Sequence, residues 1–527
     1  MKKKLVALLL SALMLLSCLP ASLAEGAVSE NLEPVTLEYW IMGPGKQKDS
    51  DRVWEKFNEM LQEYLPNTTV NFTIVPDNEY YDRWSRAMAA GEQIDLAWIG
   101  WFHNIPSEAS MGSIQPMDDL LDKYGQDVKA FYGDDILNMH RVYDGRLYAI
   151  PVWQGLVGGR YAMRFPKELA DLAGENWVDE FQQVMYDNCK TMDVDAKAKV
   201  YDKLEEYFKA CKDAGRIGMG YNMQQGLYSY YDKQGSVLVG PYAYVERGDD
   251  TFTVKPLLTS DVVKLNCEYM ADWYQKGYIR PDIASVENIE ADFRRDGLSG
   301  YITNGSDGLI DIAKHATAES GFDVVAAYTN PDAEFSLGFS TATCIPYTSK
   351  NPERAVMLMN LLVSDAGRDL YRLLVYGFEG EHWNYTEAGD GTIETTGGLG
   401  QSTGDWNYGL WKWTFGTCTN ALYTTTDIVG EYEDKKELEK NAYVNPLISF
   451  SFDADAVETE EANIRAIETE YLGLNKPAML FRGYLGAEWE QGWNELQQKL
   501  ELADYDAYIA EVQRQVTEYV EANGVKW

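Results

Sequence analysis

The sequence predicts an α/β protein of two lobes with a helical C-terminal region, and three observations carry that expectation. Strand and helix patterns alternate as β-α-β-α-β over residues 35–99, the signature of a parallel sheet covered by helices. Strand patterns return after a helical middle, at "GYIT" and "FDVVAAY", as a second α/β unit requires. No low-complexity linker interrupts the 527 residues, so the backbone is expected to cross between the lobes several times.

The elements follow in order. Val35, Leu37, Tyr39 and Ile41 alternate as a strand, Val53, Phe57, Leu61 and Tyr64 fall at helical spacing, and Val70, Phe72 and Ile74 alternate again. Tyr80, Trp84 and Met88 form a second helical stripe, closed by Gly91 ahead of the strand "IDLAWI". In "VYDGRLYAIPVWQG", residues 142–155, Asp144-Gly145 supplies a two-residue hairpin turn between Val142-Tyr143 and "RLYAI". Pro151 has no N–H for a continued central ladder, so the chain leaves the sheet there with Trp153 just past the exit. Helices are expected for "KVYDKLEEYFKACKDAG" and for "SDVVKLNCEYMADWYQKG", the second capped by Ser260. Asn351 and Pro352 open a further helix, and another stops at Gly377. Gly389–Gly409 reads as a long loop, and amphipathic helices fill the rest.

Composition removes several classes of function. With 83 acidic and 46 basic side chains the net charge is -37, which repels phosphate backbones and anionic lipid and argues against nucleic acid or membrane surfaces as partners. Residues 1–24 read as a secretory signal: Lys2, Lys3 and Lys4, an apolar run from Leu5 to Leu16, and small residues at Ser22 and Ala24. Leu15-Leu16-Ser17-Cys18 offers an alternative, lipobox-like site at which Cys18 would be lipidated. Cys189, Cys211, Cys267, Cys344 and Cys418 are widely spaced and odd in number, so buried thiols are expected, with room for one pair.

Catalytic signals fail on context. His103, His140, His315 and His382 are scattered, and there is no P-loop and no G-x-G-x-x-G after a strand. Gly400-Gln401-Ser402-Thr403-Gly404 matches a nucleophile motif but lies in a Gly-rich stretch without the flanking strand and helix. The acids are too many for any pair to stand out as a glycosidase pair, and "DADAVETEE" lacks the spacing of a calcium loop and reads as a solvated helix entry. No metal, cofactor or catalytic residue is therefore expected.

Aromatic residues are the informative excess, 13% of the chain with 15 Trp and 36 Tyr, and flat amphipathic rings suit stacking on uncharged polar ligands. Ligands of open α/β sheets bind beyond the carboxyl ends of strands, which selects Trp101 and Phe102 after "IDLAWIG"; Trp40, at the end of the first strand, reads equally as core or as a ligand contact. Trp153 and Gln154 follow the exit at Pro151. Glu379, His382 and Trp383, after a helix stop, are placed to close over a ligand. Trp406, Trp411 and Trp413 form a Gly-flanked cluster read as lid or satellite core, with Trp406 taken as the ligand contact.

These segments also carry a resemblance. "YDGRLYAIPVWQG", "AAGEQIDLAWIGW", "IQPMDDLLDKYG", "FRRDGLSGYITNG" and "IPYTSKNPERAVMLMNLL" resemble, in order, the landmarks of the maltose-binding-protein-like sugar-binding proteins. "LVYGFEGEHW" and "NPLISFSFDADAVETEEANI" look more narrowly like the lipoprotein-type extracellular solute-binding proteins of Gram-positive bacteria. The resemblance implies a type II binding-protein fold with a hinge and an interlobe cleft, and a monomeric, extracytoplasmic receptor at a bacterial cell surface. Such a receptor passes a small solute, an oligosaccharide or else a peptide, to ABC permease subunits. The alternative from another class is a secreted glycoside hydrolase. The implied division is a first lobe of residues 25–152 and 340–378 and a second of 153–339 and 379–527. At the strand end "TNGSD", Asn304 and Asp307 stand as polar ligand contacts where many sugar binders place a ring.

Overall fold

The computed structural model describes residues 32–100, 103, 105–158, 162–216, 232–285, 301–303, 312–329, 331, 334–335, 341–396, 407–473 and 479–527. The first lobe is built on a five-stranded sheet of order β2-β1-β3-β13-β4. Its strands are β1 (Val35–Met42), β2 (Thr68–Val75), β3 (Leu96–Gly100), β4 (Ala149–Pro151) and, returning late in the chain, β13 (Thr341–Cys344). β1 lies parallel to β2 and β3, and β13 runs antiparallel to both β3 and β4, so the carboxyl ends of β1, β2, β3 and β4 share one end of the sheet.

The period-two pattern divides the core between the two faces. Leu37, Tyr39 and Ile41 pack with Val53, Phe57 and Leu61 of helix Ser50–Leu61 and with the helices Pro352–Val363 and Arg368–Tyr376. Trp40 and Met42 face the other way, onto Tyr80, Trp84 and Met88 of helix Asp77–Ala90. Asp95, fully buried, accepts from the Glu38 N–H at 3.0 Å and from Ser349 Oγ at 2.8 Å, tying β1 to the chain that returns after β13. Asn351 precedes the helix starting at Pro352 as expected, but its side chain makes no cap and donates to Asp95 instead.

Turn chemistry at Asp144-Gly145 also forms, with less ladder than expected. Gly145 sits at φ 76°, its N–H donates to Val142 O, and Val142 N–H to Arg146 O, while the strand itself is confined to Ala149–Pro151.

The crossover after β4 continues as β5 (Val157–Gly158), paired antiparallel with β12 (Glu334–Phe335). Beyond it β6 (Ala162–Pro166) lies at the centre of a second sheet, between β10 (Tyr301–Thr303) and β11 (Val324–Tyr328). Helices Lys167–Ala173, Trp177–Asn188, Val194–Asp213 and Asp261–Gln275 cover it. Ser260 Oγ caps the last of these by accepting from the Val263 N–H, as expected. A third core joins β7 (Ser236–Leu238), β8 (Ala243–Glu246) and β9 (Val254–Pro256) to helices Glu458–Tyr471, Trp489–Leu502 and Tyr505–Asn523. The C-terminal helices thus complete the second lobe.

One assignment changes. Residues 383–396 and 407–432, expected with the second lobe, pack into the first: Trp383, Ile393, Tyr408, Leu410, Phe415 and Tyr432 belong to the same core as Leu37 and Phe57. The stretch expected as loop from Gly389 contains β15 (Ile393–Thr395), paired with β14 (Trp383–Tyr385). All five cysteines beyond residue 24 are buried and free.

Candidate functional site

The carboxyl end of the first-lobe sheet is where strands stop and aromatic residues collect. β3 ends at Gly100, which lies opposite Thr341, the first residue of β13. Thr341 Oγ1 donates to Trp413 O at 2.7 Å, which fixes Trp413 at this end of the sheet. The indoles of Trp411 and Trp413 lie parallel, with centroids 5.1 Å apart and planes 14° from each other, and both are half-buried against the core around Trp40.

The segment carrying this pair is held along its length. Asp49 N–H donates to Asn407 O at 2.9 Å, Gly409 N–H to Gln47 Oε1 at 2.7 Å and Leu410 N–H to Val375 O at 2.9 Å. The Tyr371 hydroxyl donates to Lys412 O, and Cys418 N–H donates to Trp153 O at 2.8 Å. The pair therefore rests on a fixed backbone at the end of the sheet beyond which ligands of open α/β folds bind.

His103 closes the turn beyond β3. Its N–H donates to Gly100 O at 2.7 Å, and Nδ1 accepts from the Gly100 N–H. The imidazole is ringed by Tyr80, Tyr81, Trp84 and Trp98, with centroids 5.6–5.9 Å away, and burial pushes its pKa down to about 4. It is a neutral packing element at neutral pH.

Several expected contacts are core instead. Trp40 is 2% exposed, under the Arg83 guanidinium at 4.8 Å. Trp153 is 1% exposed; its ring lies among Phe131, Tyr432 and the Lys436 ammonium, so neither face is open to a ligand. Its Nε1–H donates to Glu439 Oε1 at 2.8 Å, and the Leu156 N–H donates to the same oxygen at 2.7 Å. Burial pushes the Glu439 carboxyl up, against the opposing effect of these two bonds. Gln154 is half-buried on this crossover.

Residues 377–383 form a locked turn rather than a lid. His382 Nδ1 accepts from the Phe378 N–H at 2.9 Å, which leaves Nε2 to donate to Asp49 Oδ2 at 3.3 Å. Burial acts to raise the Asp49 carboxyl, yet the hydrogen bonds from His382 and Arg52 hold it below the usual range. Trp383 Nε1–H donates to Gly377 O at 3.2 Å, and its ring lies in the first-lobe core. Glu379 is exposed beside them. Trp101, Phe102, Asn304, Asp307, Trp406 and Cys18 lie outside the described residues, as do Ser402 and the first 24 residues. Among the described residues no group of three or more His, Cys, Asp or Glu is disposed to hold a metal ion.

The structure thus brings Trp411 and Trp413 forward, while sequence reasoning had left them undecided. Glu439 it missed, because nothing local marks one glutamate among many as the partner of a crossover far away in the chain.

Comparison with known proteins agrees with this architecture. The N-glycan transport solute binding protein NgtS from Streptococcus pneumoniae superposes with a TM-score of 0.70 at 18% identity, over 93% of this chain and 99% of that one. An extracellular solute-binding protein from Bifidobacterium longum subsp. infantis gives 0.56 at 17% identity, over 93% and 99%. The Polygalacturonan/rhamnogalacturonan-binding protein YtcQ of Bacillus subtilis (strain 168) is 25% identical over 383 residues, 69% of this chain and 70% of the relative. Residues 446–521 match a family model described as a domain of unknown function, DUF3502.

Proposed function

We propose that this chain, which has the two-lobe α/β fold of the extracellular solute-binding proteins, captures an oligosaccharide between its lobes and delivers it to the permease of an ABC importer. The Trp411–Trp413 pair carries the reading: two parallel indoles at the carboxyl end of the central sheet form a stacking platform for a sugar ring. The similarity to YtcQ and to NgtS, whose names state saccharide ligands, supports the same class. Capture needs no chemistry on the ligand. A protein that closes two lobes around a solute binds by burial and neutral hydrogen bonds, and gives it up when the lobes part.

On this reading the described residues within 32–152 and 341–432 make up the first lobe, those within 162–329 and 447–527 the second, and the crossovers at 153–158, 334–335 and 439–443 form the hinge. Export through the N-terminal segment, with cleavage after Ala24 or lipidation at Cys18, places the receptor outside the cell membrane. Trp101, Phe102, Asn304, Asp307 and Trp406 remain our candidates for further ligand contacts.

A thermal-shift screen tests the function. Neutral and acidic oligosaccharides are run beside peptides, since a ligand that binds only the folded form raises the melting temperature. The expected result is a rise with a saccharide that Trp413→Ala weakens. A rise with peptides alone overturns the reading.

A further inference from the structure

The C-terminal region that matches a domain of unknown function lines a cavity to which neither tryptophan of the pair contributes. The cavity measures about 630 Å³ and lies between the turn that precedes β4 in the first lobe and the last helix, Tyr505–Asn523, in the second. That volume falls within the range of about 300–1,000 Å³ common to small-ligand sites. We propose that this cavity is a second saccharide site, for a neutral oligosaccharide; the inference rests on the function proposed above.

Ring surfaces and pre-set polar groups argue for that ligand. On one wall Tyr143 stands at the turn, 43% exposed although tyrosine is a large amphipathic side chain. On the other, Phe450 and Tyr519 meet edge to face with centroids 5.6 Å apart. Polar groups between them are held in place by partners of their own. Arg141 donates to Asn138 Oδ1 and to Gly145 O, both at 2.9 Å, and to Asp118. Arg514 is forked between Glu511 and Glu518, and Gln515 exchanges two hydrogen bonds with the Asp453 backbone.

Charge selects among ligands. Each arginine is already paired with carboxylates, so an anionic ligand would have to strip those pairs, whereas hydroxyl groups share them without doing so. Within a chain of net charge -37, a cavity lined by Arg141 and Arg514 and by Asp453 and Glu518 offers no excess of either sign. Rings with planar hydrogen-bonding groups and no net charge describe a surface for a neutral polyhydroxylated chain.

The two walls belong to different lobes, and the lobes are also joined where Ser110 Oγ donates at 2.9 Å to Oδ2 of Asp455, two residues along the chain from the lining Asp453. Saccharide held in the cavity would bridge the lobes outside the cleft. This gives the C-terminal region a task beyond completing the second-lobe core.

The test counts sites. Maltotriose, cellotriose, mannotriose and xylotriose, with trigalacturonate as the acidic probe, are titrated into the wild type, Trp411→Ala/Trp413→Ala, and the same double variant carrying Tyr143→Ala or Arg514→Gln. Residual binding of a neutral trisaccharide to the double variant is expected, weakened by Tyr143→Ala by about fivefold, the loss of one ring contact. Tyr143→Ala alone should leave the tight site within about twofold and the melting temperature unchanged, because the ring is exposed on a turn. No residual binding in the double variant, or residual binding insensitive to both added substitutions, overturns the second site while leaving the cleft reading intact. A residual site that prefers trigalacturonate overturns its neutral ligand. A wild type that binds no saccharide in this panel or in the thermal-shift screen removes both readings together.

Discussion

Replacing Glu439 by alanine removes the one oxygen on which two hinge donors converge. Trp153 Nε1–H and Leu156 N–H both end on Oε1, at 2.8 and 2.7 Å, and neither has another acceptor among its described contacts. Leaving a buried donor unpaired costs about 1–3 kcal/mol each, partly offset by no longer burying a carboxylate, so Glu439→Ala should cost about 2–4 kcal/mol. Glu439→Gln behaves differently, because an amide oxygen in the place of Oε1 keeps both bonds, and its cost should stay below about 1 kcal/mol.

The two variants also separate charge from shape. Burial raises the Glu439 carboxyl pKa in the folded state above its ordinary value of 4.5, so the folded protein holds this proton more tightly than the unfolded chain does. The stabilisation linked to that proton is fully present below pH 4.5 and is lost as pH rises through the raised value. Against Glu439→Gln, which does not titrate, the wild type should therefore lose ground on going from below pH 4.5 to neutrality. Melting curves across that range, with small-angle scattering to follow lobe separation, measure both effects. A Glu439→Ala protein with unchanged melting temperature and unchanged scattering would refute the hinge role, and a constant gap between wild type and Glu439→Gln would refute the charge argument.

Three further outcomes follow from the geometry. Trp413→Ala should weaken saccharide binding by about 1 kcal/mol or more, read by calorimetry, with a small change in melting temperature because the ring is half-buried. Trp383→Ala, in contrast, empties a place in the first-lobe core and should cost about 3–5 kcal/mol of stability, read by denaturant unfolding, while the folded fraction keeps its affinity. Gly155→Ala places a Cβ 2.9 Å from Lys435 Cδ at a backbone φ of 103°, and should lower the melting temperature through about 1–3 kcal/mol of strain at the hinge.

Much of the fold was legible because the strands of the first lobe announce themselves by period. Val35 to Ile41 and Val70 to Ile74 alternate, and the two faces they define are those that the helices cover. Pro151 marked the exit from the sheet for a reason of hydrogen bonding that holds wherever the chain goes next. What was not legible is which late segment returns to which lobe. Nothing in "LVYGFEGEHW" says that Trp383 joins the core of Leu37 and Phe57, since a buried ring and a cleft ring have the same composition and the same local spacing. His382 is the sharper case: a histidine after a helix stop reads as a ligand contact, and its neighbours Phe378 and Asp49 make it a peg in a turn.

The tryptophans show what separates a platform from a core residue in a protein so rich in rings. Trp40 and Trp153 lie next to strand ends, as a cleft residue should, yet each is closed over by something the local sequence does not contain: Arg83 over one, and Lys436, Phe131 and Tyr432 around the other. Trp411 and Trp413 are half-buried on a main chain held by Thr341, which donates to Trp413 O, and at the neighbouring Lys412 and Leu410 by Tyr371 and Val375. A ring whose position is fixed by main-chain hydrogen bonds can leave a face for a ligand without loosening the fold. A ring whose position is fixed by its own burial cannot. On the function proposed above, burial keeps the Trp153 ring from a ligand while the half-buried Trp411–Trp413 pair can meet one, so the loss of Trp153 should lower the melting temperature more than it weakens saccharide binding.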